Sequence, residues 1–143
     1  MNSIDTNLLF YTTNEDCDEH EKASALIQQA LDRPDDWIVS DQVYFELYGL
    51  LRNPVVLERP LSAMEAWESV DFYRHQSGWL RCCYETSFMT EIVDRLKSEE
   101  FSSRRTFDIV LAITLKKHGV RTFYTRNVDD FEPLNWFTVI NPL

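Results

Sequence analysis

The chain has 143 residues, 44% of them apolar and 13% aromatic, enough to build one packed domain over residues 1–143. Three glycines and five prolines argue against a loop-rich or disordered chain. A net charge of −10, from 24 acids against 14 bases, is a poor surface for non-specific nucleic-acid binding and favours a basic protein partner. No apolar run approaches the roughly 18 residues of a membrane helix. The first residues lack the basic and then apolar pattern of a secretory signal, so no membrane association and a cytoplasmic location are expected. Cys17, Cys82 and Cys83 are odd in number and form no Cys-x-x-Cys, which leaves a disulfide framework or zinc ribbon unsupported.

Taken in order, residues 3–11 read as a short buried strand ending between Asp5 and Leu9. Residues 17–33 read as a helix, with Ala23, Leu26, Ile27, Ala30 and Leu31 at helical spacing. Trp37 to Val39 is a brief strand. Ser40 or Asp41 caps a helix that turns Val43, Leu47, Leu50 and Leu51 inward and ends at Asn53-Pro54. Ser62 caps a helix over 63–76, broken by Gly78. A strand follows over 80–84, then a helix from Thr86 or Ser87 to about Lys97. Residues 106–118 form a strongly apolar helix that closes at His118-Gly119. Residues 120–124 form a strand, Asn127 to Phe131 a turn or short helix, and Trp136 to Ile140 a last strand. The alternation predicts an α/β fold in three α/β/α layers, with a short central parallel sheet of four or five strands.

Four acids stand against this apolar background. Asp5 lies in Ser3-Ile4-Asp5-Thr6-Asn7-Leu8-Leu9, Glu46 in Val43-Tyr44-Phe45-Glu46-Leu47, Asp108 at the head of Phe107-Asp108-Ile109-Val110-Leu111-Ala112, and Asp130 in Thr125-Arg126-Asn127-Val128-Asp129-Asp130-Phe131. Carboxylates are rarely buried without compensation, and bound divalent cations would compensate several at once. Parallel sheets bind ligands outside the carboxyl ends of their strands, where Asp5, Asn127 and Asp130 fall. Each acid has a plainer reading by itself: a strand end for Asp5, a helix start for Asp108, a solvated turn for Asp130. Glu46 resists that treatment, because its helix has little exposed face.

In this order and spacing the acids resemble those of the PIN-domain nucleases, and more closely the VapC-type ribonuclease toxins of toxin–antitoxin pairs. The resemblance spans essentially the whole chain and is weakest over 57–104. It implies a Mg²⁺- or Mn²⁺-dependent endoribonuclease. Asp5, Glu46, Asp108 and Asp130 would be its catalytic metal ligands, with Thr6, Thr125 and Asn127 orienting them. Asn127 stands where many PIN domains carry an acid, and Asp130 is the candidate to take that part. Arg104, Arg105 and Arg126 are candidate RNA contacts, or neutralise the nearby acids. The resemblance further implies an RNA substrate, a cognate antitoxin whose tail covers the pocket, and a homodimer. The alternatives are a PIN-like binding module that has lost catalysis, and a phosphoryl-transfer domain. The latter is disfavoured because Asn7 occupies the place of the second Asp such enzymes need.

Overall fold

Five three-residue strands, all parallel, organise the chain. They are β1 (Asn2–Ile4), β2 (Ile38–Ser40), β3 (Leu80–Cys82), β4 (Thr122–Tyr124) and β5 (Thr138–Ile140). The structure is a computed structural model and describes residues 1–98 and 100–143. β1, β4 and β5 form one ladder and β2 with β3 another; an isolated parallel bridge between Asn2 and Trp37 joins them. The resulting order is β3-β2-β1-β4-β5. Among the described residues seven helices connect the strands: α1 (Thr6–Thr13), α2 (His20–Asp32), α3 (Asp41–Leu51), α4 (Ala63–Asp71), α5 (Met89–Leu96), α6 (Thr106–Lys117) and α7 (Val128–Phe131). From β1 the chain steps outward through β2 to β3, then returns to the other side of β1. Right-handed crossovers therefore place α1 to α4 on one face and α5 to α7 on the other. Packing agrees: α1 touches α2 and α3, α3 touches α4, and α6 touches α5 and α7. This is the three-layer parallel architecture expected from the sequence.

The first element differs from expectation. β1 ends at Ile4, and α1 begins at Thr6. So short a stretch, with apolar residues on both sides of Asp5-Thr6-Asn7, does not by its periodicity separate a buried strand from a buried helix. Asp5 decides the matter locally: its backbone is extended and its Oδ1 accepts the Thr6 N–H, making it the N-cap of α1. The predicted helix over 63–76 also divides. Ser62 and Glu65 close a capping box at its start, but regular α4 stops at Asp71 and residues Phe72–Gln76 form a wider π turn.

One core cluster joins Ile4, Leu8, Leu9, Val39, Val43, Leu47, Leu111, Leu115 and Phe123. A second, of Phe88, Ile92, Ile109 and Ile113, lies between α5 and α6, and Leu134 and Trp136 pack against both. Trp37 and Trp79 are core residues, whereas Trp67 is exposed.

Gly78, at φ 80°, turns the chain from the π segment into β3, and a Cβ there would stand 3.0 Å from Pro34 Cβ. Gly119, at φ 73°, closes α6 with nothing within 4 Å of a Cβ. Both substitutions to alanine incur the left-handed penalty of about 1–2 kcal/mol, and Gly78→Ala adds the contact with Pro34. Denaturant midpoints should rank wild type above Gly119→Ala above Gly78→Ala. Equal midpoints for the two variants would contradict the close approach at Pro34.

Candidate active site

The strand order reverses between β1 and β4, and such a switch point opens a crevice at the carboxyl ends of the strands. The Asp5 N–H donates to the Tyr124 carbonyl at 2.9 Å, and the Thr125 N–H to the Ile140 carbonyl at 3.0 Å. The ladders thus run one residue past β1 and β4, holding the backbones of Asp5 and Thr125 side by side.

Their side chains interlock. Thr125 Oγ1 donates to Asp5 Oδ2 at 2.5 Å, and accepts the Asn127 N–H at 2.9 Å and Asn7 Nδ2 at 3.3 Å. A hydroxyl has one proton and two lone pairs, so this set saturates it and fixes its direction. Asn7 Nδ2 also donates to Asp5 Oδ2 at 2.8 Å. Both Asp5 oxygens are therefore oriented before any ligand arrives.

Glu46 projects from α3 toward the same place. Thr6 Oγ1 donates to its Oε2 at 2.8 Å and Gln42 Nε2 to its Oε1 at 2.9 Å. Gln42 Nε2 also donates to the Phe107 carbonyl at 2.9 Å, which ties α3 to the start of α6 beside Asp108. A cleft of about 340 Å³ opens over Gln42, Phe45, Glu46, Tyr84, Phe107 and Val110.

Electrostatics show which acids meet. Burial pushes the Asp5 carboxyl up to about 6 against the pull of its hydrogen bonds, and the charges of Glu46 and Asp108 push it the same way. Asp108 is also raised, by burial first, then by Asp130 and Glu46, while Arg105 opposes the shift. Asp5, Glu46 and Asp108 therefore form one mutually repelling group, and Asp130 joins at its edge through Asp108. Among the described residues, no three acidic, His or Cys side chains close into a cage around one point. The all-oxygen donor set and the strained ionisation of Asp5 fit Mg²⁺ or Mn²⁺.

The remaining candidates divide. Thr6 and Thr125 are buried and donate to the acids. Asn127 enters through its backbone N–H, and its side chain is exposed. Arg105 pairs with Asp130. Arg104 is exposed. Arg126 reaches away from the acids, donating to the Tyr11 hydroxyl at 2.5 Å and pairing with Glu19 at 3.1 Å. Asn7 and Gln42 were not singled out from the sequence as pocket residues. A signal existed for each: Gln42 precedes Glu46 by four residues on a helix, a spacing that brings side chains together, and Asn7 follows the N-cap by two.

A parallel α/β sheet that gathers carboxylates from β1, α3 and α6 at its switch point defines the PIN-type class of fold. Over 143 residues the chain is 39% identical to Ribonuclease VapC24 of Mycobacterium tuberculosis, covering 100% of this chain and 97% of that protein. The chain belongs to the VapC family of ribonucleases. Solved structures share the fold. VapC20 of M. tuberculosis, described as a toxin cleaving the sarcin-ricin loop, superposes with a TM-score of 0.74 at 17% identity, covering 99% of this chain and 100% of that one. VapBC2 of Rickettsia felis, bound to a promoter DNA fragment, gives 0.67 at 14% identity over 98% and 97%. A toxin–antitoxin complex from Klebsiella pneumoniae gives 0.64 at 15% identity over 100% and 98%. No protein-family profile matches the chain.

Proposed function

We propose that this chain is a Mg²⁺- or Mn²⁺-dependent endoribonuclease and the toxin of a toxin–antitoxin pair, with Asp5, Glu46, Asp108 and Asp130 as its catalytic acids. The observation that carries the reading is the buried Asp5 carboxyl, oriented by three donors and opposed by Glu46 and Asp108. A fold tolerates such a group when a cation offsets the repulsion.

Asp5, Glu46 and Asp108 would hold the ion, directly or through its waters. Bound there, it would supply positive charge at the scissile phosphate and lower the pKa of the attacking water. Thr125 and Asn7 keep Asp5 from rotating, and Thr6 and Gln42 do the same for Glu46, so the acids lose little freedom when substrate binds. Water attacks phosphorus in line, the P–O3′ bond breaks and the departing O3′ takes a proton, so the products carry 5′-phosphate and 3′-hydroxyl ends.

The antitoxin is proposed to cover this pocket with a basic tail, for which a surface of net charge −10 is suited. An apolar groove of about 550 Å³ between α3 and α4, walled by Tyr44, Tyr48, Trp67 and Val70, runs up to Asp41 and Phe45. Those two residues also line the cleft holding Glu46, so a tail lying in the groove leads to the acids. The exposed Met89 and Val93 of α5 offer a face to a second copy in the proposed homodimer. Among the described residues, no helix is long and apolar enough to cross a membrane.

Purified protein incubated with a mixed RNA pool and Mn²⁺ should give discrete products with 5′-phosphate ends, and a chelator should abolish them. Mn²⁺ should also raise the melting temperature through binding linkage. A folded protein that neither binds Mn²⁺ nor cuts RNA would remove this reading and favour the non-catalytic module.

A further inference from the structure

Arg105 ends the turn Ser103–Arg105 immediately before α6, three residues ahead of Asp108. Its Nε stands 3.3 Å from Asp130 Oδ1, and its Nη2 donates to the Asp130 carbonyl. The guanidinium carbon lies 5.2 Å from the centre of the Phe101 ring. Two contacts to Asp130 and one aromatic face hold a planar, permanently charged group in place. The side chain is 21% exposed. The Nε atom is buried and makes no hydrogen bond, so the donors this side chain can offer a ligand are those of its Nη atoms.

This arrangement bears on how many ions the pocket takes. Asp130 already faces a cation, and an ion seated there would have to strip Arg105 of its partner. Asn127 offers only a neutral amide, on an exposed side chain. Asp5, Glu46 and Asp108 with one divalent ion sum to −1, and the Arg105–Asp130 ion pair leaves that total unchanged, so an incoming phosphodiester needs a cationic donor placed where its oxygens arrive. Arg105, close enough to Asp108 to oppose its upward shift, supplies that donor in a fixed place without a second ion.

We propose that the Arg105 guanidinium is the second positive charge of this site. The pocket takes one divalent ion, on Asp5, Glu46 and Asp108, and Arg105, anchored by Asp130, binds a non-bridging oxygen of the scissile RNA phosphate. The proposal rests on the metal-dependent nuclease reading above. Asp130 becomes the anchor of a phosphate-binding arginine instead of a metal ligand. Arginine suits the task because its fork meets phosphate with two parallel donors.

The test is Mn²⁺ titration of the full chain followed by electron paramagnetic resonance, beside cleavage rates on the RNA pool. Wild type should bind one Mn²⁺ per chain with no coupling between ions. Arg105→Gln should keep that ion and lose about 100-fold in rate, the scale of removing one preorganised donor from a developing charge. Arg105→Lys should recover part of the loss. A spin-coupled pair of Mn²⁺ ions in wild type would overturn the role of Arg105 while leaving the nuclease reading intact, and so would an Arg105→Gln protein cutting at the wild-type rate. A wild-type protein with neither bound Mn²⁺ nor cleavage would remove both. Should Arg105→Gln fail to fold, the wild-type spectrum and Arg105→Lys still decide the matter.

Discussion

Asp5→Asn should abolish RNA cleavage, on the order of 10³-fold, in a protein that still folds. That factor corresponds to about 4 kcal/mol of transition-state stabilisation. It exceeds the roughly 10–100-fold usual for residues that only orient a ligand, because Asp5 is placed to hold the ion itself. Folding should survive, since the Asn side chain is isosteric and its carbonyl can still accept the Thr6 N–H that caps α1. The amide end is the cost. Oδ2 now accepts from both Asn7 and Thr125, and an NH₂ there accepts from neither. The comparison is read from cleavage rates, Mn²⁺ affinity and melting curves taken together. A variant that binds Mn²⁺ as wild type does and cuts at an undiminished rate would remove Asp5 from the machinery.

The same variant carries a pH signature in the metal-free protein. The folded Asp5 carboxyl titrates near 6, against an ordinary value of 3.8. Between those values the native state binds a proton that the unfolded chain does not. This contribution to stability is therefore present at low pH and lost as pH rises through about 6. Two units correspond to about 3 kcal/mol, an upper scale for one buried group. Glu91 works in the opposite sense: Lys117 and Lys116 hold it down to about 2, and its contribution, full above the ordinary 4.5, is lost as pH falls from there through about 2. The informative quantity is thus the stability of wild type minus that of Asp5→Asn. It should fall between pH 4 and pH 7 with chelator, and recover at pH 7 when Mn²⁺ is added. A flat difference would mean that Asp5 ionises without penalty.

Much of this was legible beforehand, for physical reasons that differ between elements. α2 and α6 were readable because their apolar spacing is long and their ends are marked, by Pro34 after one and by Gly119 after the other. The end of β1 was not: apolar residues flank Asp5-Thr6-Asn7 on both sides, and only the cap geometry of Asp5 shows that this polar break starts a helix. At the site, the acids declared themselves by being charged among apolar neighbours. Asn7 and Gln42 are neutral, so burial leaves no comparable anomaly in the sequence. Their parts depend on contacts spanning 118 residues to Thr125 and 65 residues to Phe107, which local spacing cannot supply. The pairing of Arg105 with Asp130 is of the same kind: both residues were candidates, but whether the arginine meets an acid or RNA depends on where α7 packs.

That packing gives the second large effect. Phe131→Ala should lower stability by about 3–5 kcal/mol, the usual scale for deleting a buried aromatic ring. The melting temperature should fall by about 10 °C in a chain of this size. Phe131 is 2% exposed, and its ring meets Phe123 of the inner strand β4 edge-on at 4.9 Å between centroids. Its helix has only four residues, too few to hold itself together, so α7 stays in place through this ring. Asp130 precedes Phe131 and is the anchor of Arg105, so the cavity should loosen that pair as well as the core. Asp5 and Glu46 are held by ladders and hydrogen bonds that do not pass through α7, which reaches Thr125 through the N–H of its N-cap, Asn127. Below its melting point the variant should therefore keep its Mn²⁺ affinity while losing rate in the manner of Arg105→Gln. A variant that melts within about 2 °C of wild type would show that β4 does not depend on this ring. A variant that melts early yet cuts at full rate would show that Arg105 needs no help from α7.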